Sequence, residues 1–258
     1  MRSGILLIAV GLGCLAAPPK KDLTPQEAEE VIQKFAARES DFAKARENYT
    51  YRQSVKIQVV DRYGVAKEKM EIVSDVIFNA DGKRTERVIY APVSTIVSIQ
   101  ITPQDEQDLR SVQPFVLTSK DIVDYYVRYL GWEQLDEVGC YSFAVKPKKM
   151  VEGKRYFEGV VWVDDRDLQI VKSYGRGVGL EKNKGDHKYP KFETYREQID
   201  GKYWFPTYTI ANDILPFDSG PIPIRMQVTY KDYKQFKSES TITFGGEADA
   251  PKAPPKKQ

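Results

Sequence analysis

Two rhythms of hydrophobic and polar positions organise this chain. Near its start, "DLTPQEAEEVIQKFAARESDFAKARENY" repeats at helical spacing, with Ala28, Val31, Ile32, Phe35 and Phe42 on one stripe. Thr24 has the side chain of an N-cap and Pro25 suits the first helical position. Glu27 then completes a capping box. An amphipathic helix is expected here, and its stripe must lie on something apolar.

The next stretch has a period of two. "YTYRQSVKIQVVD" sends Tyr49, Tyr51, Val55, Ile57 and Val59 to one face, and Thr50, Arg52, Ser54, Lys56 and Gln58 to the other. After the turn "DRYG", Met70, Ile72, Val76 and Phe78 repeat the pattern. After "NADGKR", the stretch "TERVIYAP" adds Val88 and Tyr90, and "STIVSIQIT" adds Val97, Ile99 and Ile101. Two helical candidates interrupt the strands. "TPQDEQDLRSV" is short, with Thr102 as its cap. "TSKDIVDYYVRYLG" has a cap at Thr118 or Ser119, a stripe of Ile122, Val123, Tyr126 and Leu130, and Gly131 as a stop.

Strands then resume. "CYSFAVKPK" offers Tyr141, Phe143 and Val145, and "KRYFEGVVWVD", which carries Trp162, precedes "LQIVKSYG". "FETYREQIDGKYWFPTYTIAND" reads as a hairpin with Asp200-Gly201 at its tip. "IPIRMQVTYKDYKQF" turns Ile224, Met226, Val228 and Tyr230 one way. The expected class is mainly β with α (α+β). Roughly ten antiparallel strands would form a large curved sheet or an unclosed barrel, with helices covering its mouth.

The acids Asp164, Asp165 and Asp167 in "EGVVWVDDRDLQIVK" invite a metal or acid–base reading. An EF-hand loop needs oxygen ligands at alternate positions, a glycine sixth and a glutamate twelfth, and here those two places hold Gln169 and Gly175. A glycosidase pair needs carboxylates on opposing walls of a cleft. The flanks "VVWV" and "LQIV" are strand formers, so the acids are expected at a hairpin corner.

Composition narrows the remaining readings. Lys+Arg 39 against Asp+Glu 37 gives a formal charge of +2, without the basic excess of a nucleic-acid binder. "MRSGILLIAVGLGCLAAPPKKD" reads as a signal peptide over residues 1–17, cleaved after Ala16 or Ala17. The alternative is lipidation of Cys14. Cleavage leaves Cys140 as the lone cysteine, a small buried hydrophobe on this reading. The sole histidine, His187, falls in the polar loop "KNKGDHKYPK". No CxxC, HExxH, GxSxG or phosphate-cradling glycine loop occurs. No enzyme activity, cofactor or metal is therefore expected. Residues 22–240 form one expected domain, and the Pro- and Lys-rich tail 241–258 is expected to be disordered.

The signal peptide, the first helix, the alternating strands after it and the hairpin "EGVVWVDDRDLQIVKSYG" together resemble the bacterial outer-membrane lipoprotein-sorting (LolA/LolB-like) family. In that family a strand ending in a Trp–x–Asp corner precedes a strand of the form hydrophobic–hydrophobic–Lys. "KYWFPTYTI" and "VTYKDYKQF" stand where its closing strands would lie. The resemblance implies an unclosed barrel whose apolar interior takes acyl chains of lipids or lipoproteins, with no catalytic residues. The expected protein is exported and periplasmic, and touches the membrane peripherally or through Cys14. It carries lipid or lipoprotein acyl chains and meets envelope transport proteins. The alternative is a non-catalytic envelope module that binds a protein partner.

Strand alternation names the cavity residues as Tyr49, Tyr51, Val55, Ile57, Val59, Ile72, Val76, Phe78, Val88, Tyr90, Trp162, Met226 and Val228. Val31, Ile32 and Phe35 of the first helix, with Ile122 and Tyr126 of the later one, are the expected lid.

Overall fold

In the computed structural model, residues 22–78, 83–179, 189–217 and 219–235 are described. The signal-peptide segment 1–17, Cys14, His187 and the tail 241–258 lie outside them.

Thr24 caps α1 (Pro25–Arg46) with both halves of the capping box formed. The strands come next as β1 (Tyr49–Val60), β2 (Ala66–Phe78) and β3 (Arg84–Tyr90). A short helix α2 (Pro103–Gln107) runs into a wider π-helical turn over Asp108–Val112. Then come β4 (Tyr125–Leu135), β5 (Val138–Pro147), β6 (Tyr156–Asp164), β7 (Ile170–Val178), β8 (Phe192–Gln198), β9 (Trp204–Phe217) and β10 (Gly220–Gln235). They make one 10-stranded sheet in the order β3-β2-β1-β10-β9-β8-β7-β6-β5-β4. Each pair of neighbours in that order is antiparallel. The sheet is open: β3 and β4 end it and do not pair with each other.

Register carries the inner face across the sheet. Ile72 stands opposite Val55, Val55 opposite Val228, and Val228 opposite Thr209. The row continues through Thr194, Ser173, Val161, Phe143 and Tyr129. Residues directly opposite in an antiparallel pair share a face, so this row is one continuous wall. Its ends are aliphatic or aromatic, and its middle is the hydroxyl seam Ser173, Thr194 and Thr209, all buried.

Two elements lie on that wall. The stripe of α1 packs Ile32, Phe35 and Ala36 into the same core as Phe143, Val161 and Val228. Phe35 meets the Phe143 ring at 5.3 Å between centroids. The stretch after α2 adds Val112, Phe115 and Leu117 to the core. Its backbone is anchored on the seam, where the Thr194 hydroxyl donates to the Gln113 carbonyl at 3.0 Å.

A buried ion pair fixes both elements. Glu39 of α1 is fully buried, and its carboxylate accepts from the Arg196 guanidinium of β8 at 3.2 Å and from the Ile170 N–H of β7 at 3.0 Å. Arg196 also donates to the Phe115 carbonyl. Burial pushes the Glu39 carboxyl above its ordinary range, and the Arg196 charge pulls against that shift. A second buried pair, Arg155 with Asp108 at 2.8 and 2.7 Å, ties the π-helical turn to the entry of β6.

Two expected elements are corrected. "TSKDIVDYYVRYLG" is not a helix: a 3-10 turn over Ile122–Asp124 leads straight into β4. Its Tyr- and Val-rich run satisfies a period of two as well as a helical one, and aromatic and β-branched residues favour the pleated surface. Tyr125 is buried, Val127 and Tyr129 pack partly against the core, and Tyr126 faces out. Ile122 is buried in the turn, so neither Ile122 nor Tyr126 belongs to a covering helix. "STIVSIQIT" is not a strand either. Glu68 captures its backbone, accepting from Val97 N at 2.8 Å and Ser98 N at 2.9 Å. Those donors are thereby withdrawn from any ladder.

The Asp164–Asp167 corner is a turn between β6 and β7, as expected. The Asp164 carboxylate accepts from the backbone of Arg166 and Asp167. Asp165 accepts from the Trp132 indole at 2.8 Å and Asp167 from the Trp204 indole at 2.8 Å. The acids thus serve as corner staples.

Replacing Glu39 by Ala leaves the Arg196 charge buried without its partner, and we expect a loss of about 3–5 kcal/mol in denaturant unfolding. The joint variant Glu39→Leu with Arg196→Met should recover most of that loss. A Glu39→Ala protein as stable as the parent would show that the pair does not hold α1.

Candidate functional site

The inner wall divides into a filled part and an open part. Val55, Ile57, Val59, Val76, Met226 and Val228 are all buried on it. Val55, Ile57, Met226 and Val228 share a core with the α1 and 112–117 side chains. Tyr49 is buried in a smaller cluster with Phe42 and Phe205, where its hydroxyl donates to Asp200. Tyr51 is half-buried against Tyr230 and Tyr233, with centroids at 6.1 and 5.1 Å. In α1, Ile32 and Phe35 are buried and Val31 is half-buried against the core. Much of the expected hollow is therefore occupied by the protein's own side chains.

The open part is the wing made by β2 and β3. Met70, Ile72 and Phe78 are half-buried, and Val88, opposite the inward Ser74, is 58% exposed. β3 is the terminal strand, and Val88 is followed by exposed Ile89 and Tyr90. The irregular stretch beyond it exposes Val93 and Val97.

Two inward assignments are corrected. Tyr90 stands opposite Val73, whereas Val88 stands opposite Ser74, because a bulge inserts a residue between them. One extra residue exchanges the faces downstream, so Tyr90 belongs with the outward Val73. Trp162 lies opposite Lys172, and Lys172 opposite Tyr195, on the outer face. The neighbours of Trp162 on β6, Val161 and Val163, point inward there, and both are fully buried. The Trp162 indole donates to Glu133 at 2.7 Å, and the Lys172 ammonium sits 5.0 Å over its ring. A ring with one polar edge is well served at a wet surface.

A separate cavity of about 250 Å³ opens between the end of α1, the 112–118 stretch and the start of β6. Its walls include Phe115, Tyr125, Tyr156 and Phe157, and its cations are Arg46, Lys154 and Arg155. The alternation pattern carries no sign of this cavity, because its walls come from a helix end, a loop and a strand start. The nearest sequence signal is the adjacent pair Lys154-Arg155 before the aromatic Tyr156-Phe157.

Among the described residues no cluster of three or more His, Cys, Asp or Glu side chains could hold a metal. Cys140 is fully buried, and burial pushes its thiol up to about 12, far from a nucleophile's range.

No protein-family model matches the sequence, and no curated protein matches it. Solved structures similar to the chain include a DUF1329 family protein from Desulfovibrio piger, at 15% identity and a TM-score of 0.43, over 80% of this chain and 92% of that one. They include the LolA superfamily protein NE2245 from Nitrosomonas europaea, at 13% identity and a TM-score of 0.35, over 81% and 94%. A putative outer membrane lipoprotein-sorting protein domain from Vibrio parahaemolyticus matches at 14% identity and a TM-score of 0.38, over 81% and 94%. The family that the sequence resembles is thus named again among these structures. At these TM-scores no residue role passes from them to this chain.

The filled part of the wall depends on Gly177 as well as on the ion pairs. A Cβ there would stand 2.2 Å from Asp108 Oδ2 and 2.6 Å from Arg155 Nη2. Gly177→Ala should prise this pair apart at a cost of about 1–3 kcal/mol and speed amide exchange across residues 108–117. Unchanged exchange there would mean that the pair does not pin the segment.

Proposed function

We propose that this is an exported, non-catalytic envelope protein that binds acyl chains of lipids or lipoproteins on the β2–β3 wing of its open sheet. One observation carries the reading. The inner wall is covered by α1 and residues 112–117 over its centre, while Met70, Ile72, Phe78 and Val88 remain partly or largely open to solvent. Apolar side chains left open at one end of an otherwise covered wall support a binding surface there. Each CH₂ withdrawn from water there contributes about 0.8 kcal/mol. The leader sequence supports export.

A second reading has its own support. β3 presents an edge that pairs with no described strand, next to exposed Ile89 and Tyr90. Such an edge accepts an added strand from a protein partner.

The acyl reading predicts saturable uptake of a fluorescent fatty acid by the mature protein, and co-purifying acyl lipids on organic extraction and mass spectrometry. Ile72→Asp and Val88→Asp should each weaken uptake by about tenfold or more, the effect of losing roughly 1.4 kcal/mol. Absence of both uptake and extractable lipid would overturn it. Uptake unaffected by either aspartate would place the guest elsewhere.

A further inference from the structure

The cavity beside the end of α1 contains a cation with an unsatisfied buried donor. Arg155 is served by Asp108 and lies 3.9 Å over the Tyr189 ring. Lys154 is served by Asp124 at 3.1 Å, at the rim. Arg46 differs. Its Nε is buried with no hydrogen-bond partner. Glu39 acts on it electrostatically, yet the Glu39 oxygens are engaged by Arg196 and the Ile170 N–H. Burial draws the guanidinium below its ordinary range. Among the described residues of the wall the acid is Asp121, which accepts the Thr118 hydroxyl at 2.6 Å.

A buried donor left unsatisfied is costly, and a guanidinium is shaped to take an oxyanion on two parallel donors. The space of about 250 Å³ is too small for a whole lipid and ample for a carboxylate or phosphate group with a short apolar body. Phe115, Tyr156 and Phe157 supply the apolar side of such a site.

We propose that this cavity binds an oxyanion group, carboxylate or phosphate, on Arg46, with the ligand's apolar part against Phe115, Tyr156 and Phe157. The site is separate from the β2–β3 wing and does not rest on the acyl reading. It would take either a small free anion or the head group of an amphiphile.

Calorimetric titration of the mature protein with inorganic phosphate, hexanoate and dihexanoyl phosphatidic acid tests it, against chloride at equal ionic strength. Saturable binding of at least one oxyanion is expected. Phosphate or hexanoate binding marks a free small anion, and binding of dihexanoyl phosphatidic acid alone marks a head group. Arg46→Gln should weaken the binding by about tenfold or more, and Arg46→Lys should retain part of it. Val88→Asp, on the wing, should leave phosphate binding unchanged. If Arg46→Gln does not fold, the weakened but measurable binding of Arg46→Lys carries the test. No saturable binding of any of the three probes would overturn the proposal. So would parental affinity in Arg46→Gln, or in Arg46→Lys where that variant carries the test.

Discussion

The arrangement depends on one charge pair that water cannot reach. Glu39 and Arg196 meet at 3.2 Å, although they are 157 positions apart in sequence. Taking two charges out of water is expensive, and the cost is offset only when the remaining hydrogen-bonding groups are also satisfied. Here they are: Glu39 receives the Ile170 N–H, and Arg196 reaches the Phe115 carbonyl. One pair therefore links the long helix, two strands of the sheet and the covering stretch. The apolar stripe of α1 could slide along a greasy wall with little penalty. The Glu39 carboxylate has one place to go, so the pair sets the register while burial supplies most of the driving force.

The same logic explains the centre of the sheet. Large side chains on β7, β8 and β9 would hold the covering stretch away from the wall. Ser173, Thr194 and Thr209 occupy those positions instead, and Thr194 and Thr209 bond each other at 2.8 Å while Thr194 also reaches Gln113. Small hydroxyls let a backbone approach closely and satisfy its carbonyl at once. A hollow expected to receive a guest is thus built in part to receive the protein's own chain.

Local signals are legible in the sequence, and long-range ones are not. The capping box at Thr24, the alternation of β1 and β10, the Asp200-Gly201 turn and the aspartate corner are all short-range patterns, and each appears where its residues predict it. The helix expected at residues 118–131 fails because its spacing fits two periods, and packing on β5 decides between them. Tyr90 fails through a single bulge, and Trp162 through parity, since its valine neighbours claim the inner face. Glu39 and Arg196 look like solvated charges until the fold brings them together. Arg46 likewise reads as an ordinary basic residue in a last helical turn.

These contrasts bear on what the wing can do. The covered part of the wall is anchored by two buried ion pairs and a hydroxyl seam, so opening it means exposing charges as well as hydrocarbon. A guest need not disturb any of that at β2 and β3, where the wall ends in a terminal strand and Val88 is already mostly in water. Hydrophobic gain scales with the area removed from water, and a half-open surface removes less of a guest's area than an enclosed one. On the acyl-binding proposal, such a wing favours ready release over tight retention.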